Sequence, residues 1–266
     1  MGALTGKVAI VTGASQGIGQ GIAIAFGEAG ADVVCAARNL EKLRETCALV
    51  EAAGARAIAT ACDVRALGDI EACVAAAVQA FGGVDIVVNN AQTIKYVFIN
   101  DADDQTMQDT LHSGPLASYR FMKQAYPLMK ARGGGVIVNV GSSAQHLPVT
   151  ARYACYNAAK AGIEGLTRAA SDEWKGEGIY TFMIHPAAET AMVLGMKARE
   201  PQRYAAAVSN FPKGRMGDPL EDIGRPLVSL VAQAHRFTGK TVRMNSTGVG
   251  EVVETIDDVP FDLPAV

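Results

Sequence analysis

Tyr156 and Lys160 stand four residues apart in the stretch Arg152-Tyr153-Ala154-Cys155-Tyr156-Asn157-Ala158-Ala159-Lys160-Ala161-Gly162, a run of small and apolar residues without proline. Such a run reads as the opening turns of a helix, on which positions i and i+4 share a face. A phenol then lies beside an ammonium. A free tyrosine has a pKa of about 10 and is a poor acid or base near neutrality. A neighbouring cation stabilises the phenolate and lowers that value, which is what general acid/base catalysis needs. The spacing alone is common on helix surfaces, so its meaning depends on the elements around it.

A second stretch, Thr12-Gly13-Ala14-Ser15-Gln16-Gly17-Ile18-Gly19, follows an apolar β-rich run and opens a helical pattern. Glycines there permit a tight turn and let the backbone approach a pyrophosphate, while the helix N-terminus faces its charge. Gly13, Ser15, Gln16, Gly17, Ile18 and Gly19 are therefore candidate cofactor contacts. At the end of the next strand a carboxylate would bind the free ribose hydroxyls of NAD(H). This chain has Ala36-Ala37-Arg38 instead, and a guanidinium fork suits a 2′-phosphate. The expected preference is NADP(H), with NAD(H) still possible. Asp63 and Val64 follow the third strand and are placed to bond and pack against adenine. Asn89-Asn90-Ala91 follows the fourth, where the crevice at the strand ends would hold the cofactor.

The elements that position these residues alternate. Strands are expected at 7–12, 31–37, 56–61, 84–88, 136–140, 179–184 and 240–244, and helices at 16–29, 39–53, 67–81, most of 103–132, 153–175 and 219–234. Short, continuously apolar strands between helices of ten or more residues indicate βαβ units and a parallel sheet covered on both faces. The fold class is α/β, a doubly wound parallel sheet of about seven strands in one domain spanning residues 1–266. The segment 187–215 is too long for an ordinary connection and reads as a substrate loop or lid. From about 251 an acidic tail with three prolines after 259 is expected to fray or pack on a neighbour.

Composition narrows the function. The 266 residues are 49% hydrophobic and carry a formal charge of −3, which makes no electrostatic case for nucleic acid or an anionic membrane. No apolar run approaches a membrane span, and the N-terminal residues lack the pattern of a signal peptide. Five cysteines without a C-x-x-C pair read as buried thiols of a reducing, cytoplasmic compartment. Four scattered histidines give no metal site.

With these stretches in place the chain resembles the short-chain dehydrogenase/reductase family, in its compact single-domain, Rossmann-type branch, from about Leu4 to Gly250. The resemblance rests on the glycine turn, Asp63-Val64, Asn89-Asn90-Ala91, Ser143 thirteen residues before Tyr156, the Tyr156–Lys160 pair, Pro186, the Gly214–Gly217 segment and Thr238–Thr241. It implies hydride transfer between nicotinamide and a secondary alcohol or ketone. Tyr156 would be the general acid/base and Lys160 would lower its pKa and hold ribose hydroxyls. Ser143 would bond the substrate oxygen, and Pro186 and Thr190 would lie by the nicotinamide. The small-molecule substrate would meet Gln92, Ile94, Gln145, His146, Tyr153 and the 187–215 loop, whose apolar content suits a steroid, terpene or aromatic ketone. The family is commonly tetrameric through helices matching 111–131 and 153–175, so a homo-oligomer is expected.

Three departures from the family pattern stand out. Gln92 replaces the glycine after Asn-Asn-Ala, and Leu111 replaces a catalytic asparagine whose carbonyl helps hold a relay water. Ala187 replaces the glycine after Pro186, with one residue fewer before Thr190. Gln92 and Leu111 keep a second class open, a dinucleotide-binding sensor or scaffold with little turnover. A halide-releasing relative is a third class, disfavoured by Lys160 and the intact glycine turn.

Overall fold

A computed structural model describes residues 2–142, 151–209, 211 and 213–253. Its centre is one eight-stranded sheet in the order β3-β2-β1-β4-β5-β6-β7-β8. The strands are β1 (Val8–Thr12), β2 (Asp32–Ala37), β3 (Ala57–Ala61), β4 (Ile86–Asn89), β5 (Gly135–Val140), β6 (Ile179–Pro186), β7 (Thr241–Asn245) and β8 (Gly248–Val253). The first seven pair in parallel. Their continuous apolar runs demand cover on both sides, and both sides are covered. One core packs Phe26, Leu43, Phe182 and Leu227 against one face, and the other packs Ile70, Phe121, Met129 and Ile179 against the opposite face.

Helices α1 (Gly17–Glu28), α2 (Leu40–Ala52) and α9 (Arg225–Ala232) supply the first core, and α3 (Leu67–Phe81), α5 (Pro115–Ala131) and α6 (Ala154–Trp174) the second. Local chemistry sets their ends. Asn39 caps α2 by accepting from the Lys42 backbone at 3.1 Å. Asp103 caps α4 (Asp104–Ser113) by accepting from Thr106 at 2.7 Å, as N-cap side chains do. The helical stretch expected over 103–132 breaks at Gly114, where Pro115 starts α5.

The sheet has eight strands rather than about seven. The residues from Glu251 to Val253, expected as tail, extend β8, which runs antiparallel to β7. The turn between them is tight: Asn245 pairs with Gly248, the Asn245 side chain accepts from Thr247 N at 2.9 Å, and Gly248 takes φ 82°. No Asn-Gly or Asp-Gly announces this hairpin, which is why the sequence reading stopped at β7. The 187–215 segment holds two short helices, α7 (Ala191–Arg199) and α8 (Pro201–Val208). A wide π-helical turn, Pro219–Gly224, precedes α9.

The chain leaves β1 for β2 and β3, then crosses back to β4 on the other side of β1. Where the winding reverses, the strand ends open a crevice, the usual ligand position in such sheets.

Candidate active site

A cleft of about 960 Å³ runs along the carboxyl ends of β1 to β4 and is closed on one side by Thr190, Ala191 and Met192. The glycine turn forms its floor. Gly13 and Gly17 have φ of 68° and 58°, a region costly for residues with a Cβ. A Cβ at Gly19 would sit 2.4 Å from the Gly13 carbonyl oxygen and 2.6 Å from Asn90 Nδ2. The turn is pinned from below. Thr12 Oγ1 accepts from the backbone of Asn90 (2.9 Å) and Ala91 (3.0 Å), and Asn90 Nδ2 donates to the Thr12 carbonyl at 2.8 Å. Thr46 Oγ1 donates to the Ala14 carbonyl at 2.9 Å and accepts from Gln20. Asn90 thus shapes the turn with the amide expected for the cofactor. Ser15, Gln16 and Ile18 line the open side, and the first turn of α1 holds no acid. A bare, preformed cradle at a helix N-terminus fits a dinucleotide pyrophosphate.

At the far end lie Ala37, the exposed Arg38, Asn39 and Lys42. Lys42 Nζ donates to Gln16 Oε1 at 3.3 Å. Sequence reading singled out Arg38 and missed Lys42, whose signal was its place in the first turn after the Asn39 cap. Two cations share this end. Val64 is buried and lines the cleft as expected. Asp63 lines it too, but Arg65 grips its carboxylate through Nε and Nη2, at 2.7 Å for the shorter contact. Those bonds, with a smaller attraction from Arg38, hold the Asp63 carboxyl below the usual range. Its acceptor capacity is largely spent on Arg65 rather than left for adenine.

The reaction end stands over β5. Tyr156 and Lys160 share one face of α6 as their spacing requires, with Lys160 Nζ 5.5 Å from the Tyr156 ring centre. Lys160 is buried, and its ammonium donates to the Val140 carbonyl at 2.6 Å. Burial pulls its pKa down to about 7. The expected lowering of the Tyr156 pKa by this cation is not what dominates. Burial pushes the phenol up, a hydrogen bond with the Ser142 side chain pulls partly back, and the nearby Tyr153 phenol adds to the rise. A buried amide ladder ties α6 to the sheet: Asn89 Nδ2 donates to Asn139 Oδ1, and Asn139 Nδ2 to Thr167 Oγ1, each at 2.8 Å.

Ser143, Gln145 and His146 lie outside the described residues. Among the described residues the serine that meets Tyr156 is Ser142, directly after β5, whose ladder runs on through Gly141 N to the Ile184 carbonyl.

Of the remaining expected residues, Thr190 caps α7 and walls the cleft opposite Gly17, while Pro186 ends β6. Ile94 and Tyr153 are half-buried. Gln92 lines the cleft, but both polar atoms of its amide are buried without a protein partner. That amide fills the notch at Gly114, where a Cβ would meet Gln92 Nε2 at 2.9 Å. Leu111 is half-buried, and His112 is exposed. Among the described residues no cluster of ligating side chains could hold a metal, and no helix is long and apolar enough to cross a membrane.

A family model for short chain dehydrogenases matches residues 7–201. A 12-alpha-hydroxysteroid dehydrogenase from a Clostridium species is 34% identical over 260 residues, covering 94% of this chain and 99% of its own length. A 7-alpha-hydroxysteroid dehydrogenase solved with NADH and 7-oxo glycochenodeoxycholic acid superposes with a TM-score of 0.86 at 28% identity, covering 93% of this chain and 96% of that one. A variant actinorhodin polyketide ketoreductase solved with NADPH gives 0.82 at 31% identity, over 91% and 97%.

Proposed function

The chain belongs to the short-chain dehydrogenase/reductase family, an NAD(P)-dependent oxidoreductase acting on CH–OH or C=O groups, and from that premise we propose an NADP-preferring reductase of apolar ketones that also oxidises the matching alcohols. The observation that carries the reading is the Tyr156 phenol, hydrogen-bonded to Ser142 and beside Lys160 on one helix face, at the carboxyl end of β5, the strand next to those that build the cleft.

Bound in the cleft, a nicotinamide dinucleotide would supply or accept the hydride. The glycine turn at Gly13, Gly17 and Gly19 would hold its pyrophosphate through backbone N–H groups and the α1 dipole. Arg38 and Lys42 would share a 2′-phosphate. In reduction Tyr156 donates its proton to the developing alkoxide, and in oxidation it takes that proton back. Ser142, in the role expected of Ser143, polarises the same oxygen and holds the phenol's orientation. Lys160 answers the negative charge that forms on the phenolate. An ammonium buried so deeply that its pKa falls to about 7 is stabilised when an anion appears beside it.

The substrate would enter between the 187–215 segment and α6. Met192 and Leu194, both exposed on α7, and the rings around Tyr156 support an apolar occupant, as do relatives whose printed names are hydroxysteroid dehydrogenases. Exposed Met107 and Tyr119 on α4 and α5 support association of copies through these helices.

The test is kcat/KM for a panel of apolar ketones with NADPH and with NADH. NADPH is expected to be preferred about tenfold or more, and Tyr156→Phe to retain cofactor binding while losing about 100-fold or more in kcat. A clear NADH preference removes the role given to Arg38 and Lys42. A Tyr156→Phe variant of near wild-type rate removes the mechanism.

A further inference from the structure

Arg152 is the one non-glycine residue with a left-handed backbone among those described, at φ 72°. For a long side chain that conformation is sterically disfavoured, and it persists only where its surroundings over-determine it. The surroundings are a set of stitches to residues 96–98. Arg152 Nη2 donates to the Tyr96 carbonyl at 3.1 Å, the Arg152 carbonyl accepts from Val97 N at 3.1 Å, and the guanidinium lies 5.8 Å from the Phe98 ring centre.

The stitches place two rings beside the phenol of the site. Tyr96 and Tyr153 have ring centroids 4.7 Å apart and tilted by 50°, and each is 6.1 Å from the Tyr156 ring. All three are half-buried, so the cluster keeps ring surface for an occupant. Nothing in the hydride-transfer chemistry calls for Tyr96 or for strain at Arg152.

We propose that Arg152 is a positioning residue that locks Tyr96 and Tyr153 into an aromatic wall beside Tyr156, and that this wall selects a carbonyl borne on a rigid ring system over one on a flexible chain. The inference rests on the hydride-transfer reading and adds the substrate's shape to it. Tyrosine rings present large apolar faces with few rotors to freeze. A rigid ring covers such a face at little entropic cost, whereas an open chain must immobilise its own rotors to do so. The difference enters kcat/KM as discrimination between substrates.

The experiment compares 1-decalone with 2-decanone, two ketones of equal carbon count, in wild type, Tyr96→Leu, Arg152→Gly and Arg152→Lys, with NADPH and with NADH in excess. Wild type favours the ring. Tyr96→Leu and Arg152→Gly lower the ring-to-chain ratio of kcat/KM by about two- to tenfold, the scale of one aromatic contact, chiefly through KM for decalone. Arg152→Lys restores part of the ratio. Glycine adopts φ 72° without strain, so thermal unfolding of Arg152→Gly shows whether the protein stays folded while its selectivity changes. A wild type that prefers 2-decanone, or a ratio that both Tyr96→Leu and Arg152→Gly leave unchanged, overturns the wall and leaves hydride transfer standing. Turnover of neither ketone with either nicotinamide cofactor overturns the reading beneath it and the wall together.

Discussion

At the glycine turn, Thr12, Thr46 and Asn90 spend their hydrogen bonds on the backbone that shapes the cofactor cradle. Around Tyr156 the accounts are less settled. Lys160 is buried with its pKa near 7, Gln92 holds a buried amide without a protein partner, and Arg152 sits at φ 72°. The first region is complete before any ligand arrives, which favours affinity because little has to be ordered on binding. The second carries unfavourable terms that a purely structural core would shed, and such terms collect where chemistry is done.

The comparison breaks first at Gly19. Gly19→Ala drives a Cβ into the Gly13 carbonyl at 2.4 Å, so the cradle must distort. NADPH affinity, read by fluorescence titration, is expected to fall by about 100-fold, the equivalent of roughly 2.8 kcal/mol. An alanine variant that binds normally would mean that the turn is adaptable rather than preformed.

Lys160 provides the next test, and its sign follows from linkage. The folded-state pKa, about 7, lies below the ordinary value of 10.5. Below pH 7 both folded and unfolded chains carry the proton, and the full cost of the buried charge is present. Between about pH 7 and 10.5 the unfolded chain binds more protons, so stability rises with pH and the cost is gone near the upper limit. Lys160→Met is therefore expected to stabilise the fold at pH 6, by about 1–4 kcal/mol, while abolishing the function proposed for the ammonium. The gain should shrink toward pH 10 in denaturant melts. A gain independent of pH would show that the lysine is not buried as a charge.

Gln92→Leu is the smallest expected change. Replacing an unpartnered buried amide with a similar apolar volume should stabilise by about 1 kcal/mol, read as an upward shift of the melting temperature. Destabilisation would show that the amide has a partner, and would move Gln92 into the settled half of the comparison.

Much of this was legible in the sequence, for reasons that can be named. The apolar runs at 7–12, 31–37 and 136–140 could only be strands covered on both faces. Tyr156 and Lys160 had to share a helix face because the α-helical period is a local property. Local signals failed where a contact joins distant parts of the chain. Lys42 reaches the cleft only because α2 packs beside α1. Arg65 reaches Asp109 on α4 as well as Asp63, a link across 44 residues that no local pattern announces. Ser142 meets the phenol, a contact that no spacing along the chain announces.

By itself the sequence determined the alternation of the first seven strands with helices, the bare glycine turn and the pairing of phenol with ammonium, all set within a few residues by sterics and periodicity. The tertiary structure alone decided the electrostatics and the surroundings of that pair. How deeply Lys160 is buried, what Ser142 and Tyr153 do to Tyr156, and why Arg152 holds a strained backbone against Tyr96 depend on atoms brought together from β4, β5 and α6. Desolvation and packing act through space, and no spacing along the chain encodes them.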